Sequence, residues 1–395
     1  MSNQQSLLQK VRARNTPSGW KIKTVGEACL IRNDLRKPIS VGERGKIKGE
    51  YPYYGPTGIL GYINEYLAEG CFALIGEDGD HFLKYESKDQ TLLVKGKFNV
   101  NNHAHIIEAT KECSAEWFYH FFKHRNITSF LSRQGAGRYK LNKDTLQKLP
   151  ILIPPFKEQI AITDLLFTWD HAIEKTERLI VTKEQRYTWL LSMLISNDNH
   201  PQEQIRNFAT EVSRRNNGAA IDRVLSVTNN RGFVLPEDQF ERSVASSDLS
   251  NYKVVTRGQY AYNPSRINVG SIARLDNWDT GVLSPMYVVF KIDEQKANSD
   301  FFLHWLSSHE AKERISKSAQ GSVRETVSFT DLGAIPFPFP SLNQQQNIAT
   351  ILNIAREEID LLKKQLDAYR KQKRGLMQKL LTGEWQVKIN TNKED

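Results

Sequence analysis

Cysteine is scarce in this chain of 395 residues: three thiols, Cys29, Cys71 and Cys113, lie far apart with no CxxC among them. An odd number at such spacings argues against a disulfide framework or a zinc knuckle and for the reduced thiols of a cytosolic protein. Long apolar runs are missing too. Nothing approaches the ~20 residues of a membrane-spanning helix, and the polar stretch from Met1 to Asn15 has no apolar segment of the kind a secretory leader carries. The expectation is a cytoplasmic protein with no membrane partner. Nucleotide motifs are also lacking. There is no GxxxxGKS/T to cradle phosphates, and no glycine fingerprint between a strand and a helix for a nucleotide or methyl donor. The chain is therefore expected to bind no cofactor and to catalyse nothing by itself.

What is present is length, aromatic residues and a modest basic excess. A chain this long suggests two or three domains, and 18 Phe, 14 Tyr and 7 Trp supply more than one core. The net charge of +9 is compatible with a polyanionic partner but does not define one.

The chain is also written twice. Two proline-rich junctions, Leu149-Pro150-Ile151-Leu152-Ile153-Pro154 and Ile335-Pro336-Phe337-Pro338-Phe339-Pro340, lie 186 positions apart. At that offset, without a gap, Gln134-Gly135 falls on Gln320-Gly321, Arg138 on Arg324, Leu146 on Leu332, Gln159 on Gln345 and Leu166 on Leu352. After each junction the apolar residues take up a heptad. Ile162, Leu166, Trp169, Ile173, Thr176, Ile180, Lys183, Tyr187, Leu190 and Leu194 step by fours and threes, and Ile348, Leu352, Ala355, Ile359, Leu362, Leu366, Tyr369, Lys373, Leu376 and Leu380 repeat the pattern. A seam so narrow and long suits a partner helix better than a globular surface. Ser341 with Gln344 fits a capping box, and Gly383 fits a C-terminal stop. Lys183 and Lys373 occupy seam positions, where each either snorkels its charge outward or sets the register.

The stretches from about 17 to 150 and from 200 to 336 are rich in Gly, aromatic and β-branched residues. Short strands such as 71–75 and 286–290 alternate there with turn signals, and helices are expected over 115–124 and 300–308. The fold class is α/β in the broad (α+β) sense: two mixed globular domains, each followed by a long helix, the helices pairing as an antiparallel coiled coil. The expected limits are 1–153, first domain; 154–197, first helix; 198–339, second domain; 340–383, second helix; and 384–395, a tail. Two-fold packing of similar halves lays the helices antiparallel. The 33 residues from Ile162 to Leu194 span roughly 50 Å, or roughly 15 base pairs of duplex. A rod of that length would hold two unlike readers over two different half-sites.

This alternation resembles the specificity subunits of type I restriction–modification systems. The motifs that carry the resemblance are Pro154-Pro155-Phe156-Lys157-Glu158-Gln159 with Ile162 and Leu165-Leu166, and a weaker copy, Pro340-Ser341-Leu342-Asn343-Gln344-Gln345 with Ile348 and Ile351-Leu352. Pro17-Ser18-Gly19-Trp20 before Val25-Gly26-Glu27 is similar to that family as well. So are Tyr54-Gly55-Pro56-Thr57-Gly58 before Gly61-Tyr62-Ile63, the turn Gly76-Glu77-Asp78-Gly79, Asn101-Asn102-His103-Ala104-His105, and Lys379-Leu380-Leu381-Thr382-Gly383. Together they run through essentially the whole chain. Ser341 for Pro and Gln344 for Glu depart from the pattern, and both are conservative for starting a helix. The resemblance implies two target recognition domains reading an asymmetric bipartite target on double-stranded DNA. It also implies two modification (methyltransferase) subunits and two restriction (motor-nuclease) subunits as partners, with S-adenosylmethionine, ATP and Mg bound by those partners.

Some residues hint at other chemistry. Tyr262-Asn263-Pro264-Ser265 approaches the Asn-Pro-Pro-aromatic motif of amino-methyltransferases, but lacks the second proline and the aromatic that stacks on a flipped base. Asp78, Glu86 and Lys88 echo a nuclease arrangement of carboxylates and lysine, although Gly76 to Gly79 reads better as a turn. His103 and His105, with no third ligand nearby, read as a hydrogen-bonded pair rather than as metal ligands. The competing functions are a stand-alone restriction or methylation enzyme with unrecognised catalytic motifs, and a coiled-coil scaffold without a DNA role.

For DNA, Arg or Lys suits guanine, Asn or Gln suits adenine, and basic or hydroxyl groups suit phosphate. The DNA-binding candidates in the first domain are Arg133, Gln134, Arg138, Tyr139 and Lys140, with Tyr53, Tyr54 and Asn102. In the second they are Gln320, Ser322 and Arg324, with Asn263, Arg266 and Asn268. Arg138 and Arg324 are equivalent, so they suit phosphate: a residue common to both readers cannot distinguish two half-sites. Outward Glu174, Glu177, Arg178, Lys363 and Arg370 are either solvated or dock the modification subunits.

Overall fold

The computed structural model describes residues 16–134, 138–196, 200–229, 231–236, 248–320 and 326–387. The chain divides into two compact units, residues 1–175 with 366–395, and residues 176–365. Each unit therefore contains part of both long helices. Among the described residues no helix is long and apolar enough to cross a membrane.

The first unit runs β1 (Lys21–Thr24), α1 (Val25–Ala28), β2 (Leu30–Ile31), α2 (Val41–Lys46), β3 (Lys48–Gly55), β4 (Gly58–Ile63), β5 (Ala68–Gly76), β6 (Thr91–Val100), β7 (Ala104–Glu108), α3 (Ala115–Lys123), β8 (Ser132–Gln134), β9 (Arg138–Lys140), α4 (Lys143–Lys148), β10 (Pro150–Ile153) and the start of α5 (Phe156–Leu194). Six strands form a sheet in the order β2-β7-β5-β6-β3-β4, antiparallel except where β3 lies beside β6. Strand alternation divides its side chains between two cores. Ala73, Ile75 and Ile107 face Phe118, Phe121 and Phe122 of α3, whereas Phe72, Leu74, Phe98 and Ile106 pack in a separate cluster. Ser114 caps α3 by accepting from Trp117 N–H, and the Trp117 indole donates to the Leu152 carbonyl at 2.8 Å, tying α3 to β10. α3 ends at Lys123 with His124 as its cap, one residue short of the expected helix.

The second unit runs from the end of α5 through β11 (Gln202–Gln204), β12 (Ala209–Glu211), β13 (Ser226–Thr228), β14 (Gly232–Val234), β15 (Lys253–Thr256), β16 (Tyr260–Tyr262), β17 (Ile272–Arg274), β18 (Thr280–Leu283), β19 (Val288–Ile292), α6 (Ser299–Ser307), α7 (His309–Gln320), α8 (Phe329–Ala334) and β20 (Pro336–Pro338) to the start of α9 (Leu342–Leu380). An antiparallel sheet, β12-β19-β16-β17, is joined by the ribbons β11–β20, β13–β14 and β15–β18. Tyr260, Phe290, Phe302, Trp305 and Phe337 form an aromatic core. The expected strand at 286–290 starts two residues later, because Met286 and Tyr287 complete a turn closed by Tyr287 N–H on the Ser284 carbonyl at 3.0 Å.

The duplication is visible in the backbone. α5 and α9 are each 39 residues long, and both their starts and their ends are offset by 186 positions. The two junction glutamines repeat one task. Gln159 is fully buried; its amide oxygen accepts from Ser114 N–H at 3.0 Å, and its nitrogen donates to the Glu112 and Pro154 carbonyls at 2.6 and 3.0 Å. Gln345, equally buried, accepts from Asn298 N–H and donates to the Pro340 carbonyl, both at 2.9 Å. Ser114 and Asn298 are the caps of α3 and α6, so each glutamine fastens a long helix to the first turn of a domain helix.

Every seam position of α5 and α9 is buried or half-buried, and the residues between them are mostly exposed. In the first unit Ile162 and Leu166 share a core with Met377 and Leu380, Trp169 meets Tyr369 edge-on at 5.7 Å, and Lys373 reaches Asp170. In the second, Glu184 pairs with Lys363 at 2.7 Å and Arg356 lies over Tyr187 at 5.9 Å. In both units rising numbers on α5 meet falling numbers on α9, and the helices pair as an antiparallel coiled coil. Lys373 is 6% exposed and stays inside the seam, whereas Lys183 reaches outward to Glu358 at 2.6 Å.

Candidate nucleic-acid interface

In the first unit hydrogen bonds gather the candidates from distant segments. Near the end of β3 lies Tyr54, whose carbonyl accepts from Asn101 N–H at 2.9 Å and whose ring packs edge-on against Phe98. Asn102 is exposed, and its carbonyl accepts from Arg36 at 3.1 Å. Arg36 also bonds Glu77 at 2.6 Å, and the other carboxylate oxygen of Glu77 lies 3.3 Å from the Lys140 ammonium. The β8–β9 ribbon that carries Lys140 presents Arg133 and Tyr139 together: the guanidinium lies over the phenol ring at 5.1 Å and donates to its hydroxyl at 2.6 Å. An arginine stacked on a tyrosine is a rigid donor fork, suited to base edges or phosphate. Gln134 closes β8 and Arg138 opens β9.

Two placements need correcting. Tyr53 is 1% exposed; its hydroxyl donates to the Lys37 carbonyl at 2.7 Å and accepts from Ile39 N–H at 3.0 Å, so it braces a loop from inside and offers nothing to a ligand. Lys140 is not an independent cation, since Glu77 already holds its ammonium.

Asp78 and Glu86 are engaged separately, Asp78 with His103 at 2.9 Å and Glu86 with Arg374 at 3.6 Å. His105 is buried, and burial pushes its pKa down against the opposing pull of the Leu141 carbonyl and Glu77. Its Nε2 donates to the Leu141 carbonyl at 2.7 Å, so its Nδ1 accepts from the Asn33 amide at 2.9 Å. His103 and His105 therefore bond different partners. Among the described residues no three His, Cys, Asp or Glu side chains converge as metal ligands.

In the second unit the turn after β16 carries Asn263, Arg266 and Asn268. The Asn263 amide oxygen accepts from Ser265 N–H at 3.0 Å, while Arg266 and Asn268 are exposed. The Pro264 carbonyl accepts from Val327 N–H at 3.1 Å, and α7 packs on the adjoining Ile267–Val269 turn. Gln320 ends α7. Ser322 and Arg324 lie outside the described residues. Tyr262 is fully buried in the aromatic core, with Asn263 following it into the turn.

Sequence reasoning missed Arg36 and Glu77. The turn around Glu77 was legible, but its ion pairs join residues 41 and 63 positions away, and no periodicity signals them.

Comparison with known proteins agrees with this architecture. The profile of the family described as type I restriction modification DNA specificity domain matches residues 17–183 and 257–368. The chain belongs to that family. A Haemophilus influenzae protein provisionally assigned as a type I restriction enzyme specificity subunit is 35% identical over 166 residues, 42% of this chain. The chain spans only 40% of that relative's length. The type I restriction enzyme MjaVIII specificity subunit of Methanocaldococcus jannaschii is 19% identical, with 96% of each chain covered. Among solved structures, the S subunit of a type I restriction–modification system from M. genitalium matches 95% of this chain and 98% of its own, with a TM-score of 0.64 at 14% identity, which establishes a shared fold.

Proposed function

We propose that this chain is the DNA-reading, non-catalytic specificity subunit of a type I restriction–modification complex, and that each unit reads one half of an asymmetric bipartite target. The observation that carries this reading is the duplication: two domain-plus-helix halves with equal helices, equivalent buried glutamines and unlike reading loops. Equal scaffolds with unequal loops are what two different half-sites require. The unit-specific candidates, Arg133 with Tyr139 and Arg266 with Asn268, suit base discrimination; Arg138 and Arg324 suit phosphate.

In this reading the paired helices dock two modification subunits, which bind S-adenosylmethionine, and two restriction subunits, which bind ATP and Mg, in the cytoplasm. Outward apolar side chains support a docking role. On the second unit's helices Trp189, Met193, Ile354 and Leu361 are exposed by 56, 51, 63 and 56%, more apolar surface than a solvated helix face needs.

Methylation mapping of host DNA with and without the gene tests the proposal. It expects one bipartite motif to lose its methylation, and loss of a continuous motif would overturn it. Methyl transfer by the purified chain alone would favour the stand-alone enzyme instead. One heptad added to both α5 and α9 lengthens each by about 10 Å, so the spacer between half-sites should grow by about three base pairs. An unchanged spacer in a folded variant defeats the idea that helix length sets it.

A further inference from the structure

We infer that Glu77 is the positioning residue of the first reader: its carboxylate fixes the β8–β9 ribbon and withholds two cations, Arg36 and Lys140, from the phosphate backbone. The inference rests on the DNA-reading proposal above. Glu77 sits in the turn after β5 with its side chain 15% exposed. One oxygen takes Arg36 at 2.6 Å and the other lies 3.3 Å from Lys140, while His105 Nε2 is 3.8 Å away. Its backbone is engaged as well: its N–H donates to the His103 carbonyl at 2.8 Å, and its carbonyl accepts from Leu141 N–H at 2.7 Å. Next to it, Gly79 N–H donates to the Tyr139 carbonyl at 3.3 Å. One residue thus joins the Arg36 loop, the Asn102–His103 turn and β9, which carries Tyr139.

The charge arrangement says why an acid belongs here. Every cation released to phosphate strengthens binding to any sequence. A carboxylate that occupies two of them lowers indiscriminate attraction and gains a fixed ribbon, which favours selectivity over bulk affinity. Without the negative charge, Arg36 and Lys140 would repel one another at close range in a poorly hydrated turn. Lys140 would then swing to solvent and take the Arg133–Tyr139 pair out of register.

The test compares the full-length wild type, Glu77→Gln and Glu77→Gln/Lys140→Gln on a randomised duplex DNA pool, reading sequence enrichment and the salt dependence of binding. Glu77→Gln should lose about tenfold in enrichment at one half-site and keep the other. Its binding to the unselected pool should become tighter, with a log–log salt slope steeper by about one to two. Adding Lys140→Gln should bring the slope back without restoring enrichment. A purely structural ion pair would leave the slope alone, and that result overturns the inference, as does unchanged enrichment. If Glu77→Gln does not fold, Lys140→Gln alone must lower enrichment at one half-site, and failure to do so also overturns it. A wild type that enriches nothing refutes the DNA-reading proposal itself.

Discussion

Lys373 of α9 and Asp170 of α5 form an ion pair inside the helix seam, where a heptad would ordinarily place an apolar side chain. Burial pushes the Lys373 pKa down, and Lys123 of α3 adds to that by repulsion while Asp170 opposes it. Lys123 also faces Asp170, at 4.0 Å, and Asp89 at 3.1 Å. Asp170 is therefore the carboxylate that holds Lys373 and lies at longer range from Lys123, and the Lys373–Asp170 pair is able to set register as a buried polar residue does in other coiled coils.

The asymmetry of that cluster makes a prediction. Asp170→Asn strands Lys373, while Lys123 keeps Asp89, and should cost about 3–5 kcal/mol, whereas Lys373→Met leaves Asp170 with Lys123 and should cost about 1 kcal/mol or less. Urea unfolding of the two variants checks this. Equal costs would mean the cluster is not centred on Asp170.

A second prediction concerns acid. His120 is fully buried in α3, and neither ring nitrogen finds a hydrogen-bond partner among the described residues. Burial first, then Lys373 and Lys123, push its pKa down to about 2. The unfolded chain protonates this ring below about pH 6.5 and the native one does not, so stability is intact above that pH. It should fall by up to about 1.4 kcal/mol per pH unit from His120 alone as pH drops from about 6.5 towards 2. His120→Leu should match or exceed the wild type at pH 7, and its advantage in Tm should widen at pH 5. Melting curves that decline in parallel would contradict this.

The junction glutamines supply a third. Gln159→Leu orphans one N–H and two carbonyls, and should cost about 2–4 kcal/mol. Gln345→Leu breaks two bonds instead of three and should cost less. Chemical denaturation of the full chain gives both values, and a negligible loss at Gln159 would remove its role as a fastener.

Arg133 offers a fourth, aimed at binding rather than stability. Arg133→Ala removes an exposed side chain and should leave stability within about 0.5 kcal/mol of the wild type. Selectivity at one half-site should fall by about 1–3 kcal/mol. Uniform weakening on all sequences would instead assign the residue to phosphate.

The long helices were legible because their pattern is local: a seam with a fixed step needs no knowledge of the rest of the fold. Gly383 was legible for a similar reason, and its φ of +71° beyond α9 is the left-handed geometry that favours glycine. Tyr53 and Tyr54 were not separable by sequence. Adjacent strand residues point opposite ways, and the register of β3 shifts twice along its pairing with β4, between Lys48 and Tyr51 and between Tyr53 and Tyr54. Lys140 looked like an available cation because its partner lies in a turn 63 residues earlier. Loop conformations are set by such long-range contacts, so the chemistry of the candidate residues is written in residue types while their geometry is not.

The first unit draws its core from stretches far apart in the sequence. Met377, Leu380 and Leu381 pack with Trp20, Trp117 and Leu152, so the ribosome must pass Leu381 before the domain that holds Trp20 can close. A premature stop a few codons upstream of Met377 would spare every residue of the second unit and leave the first unit open.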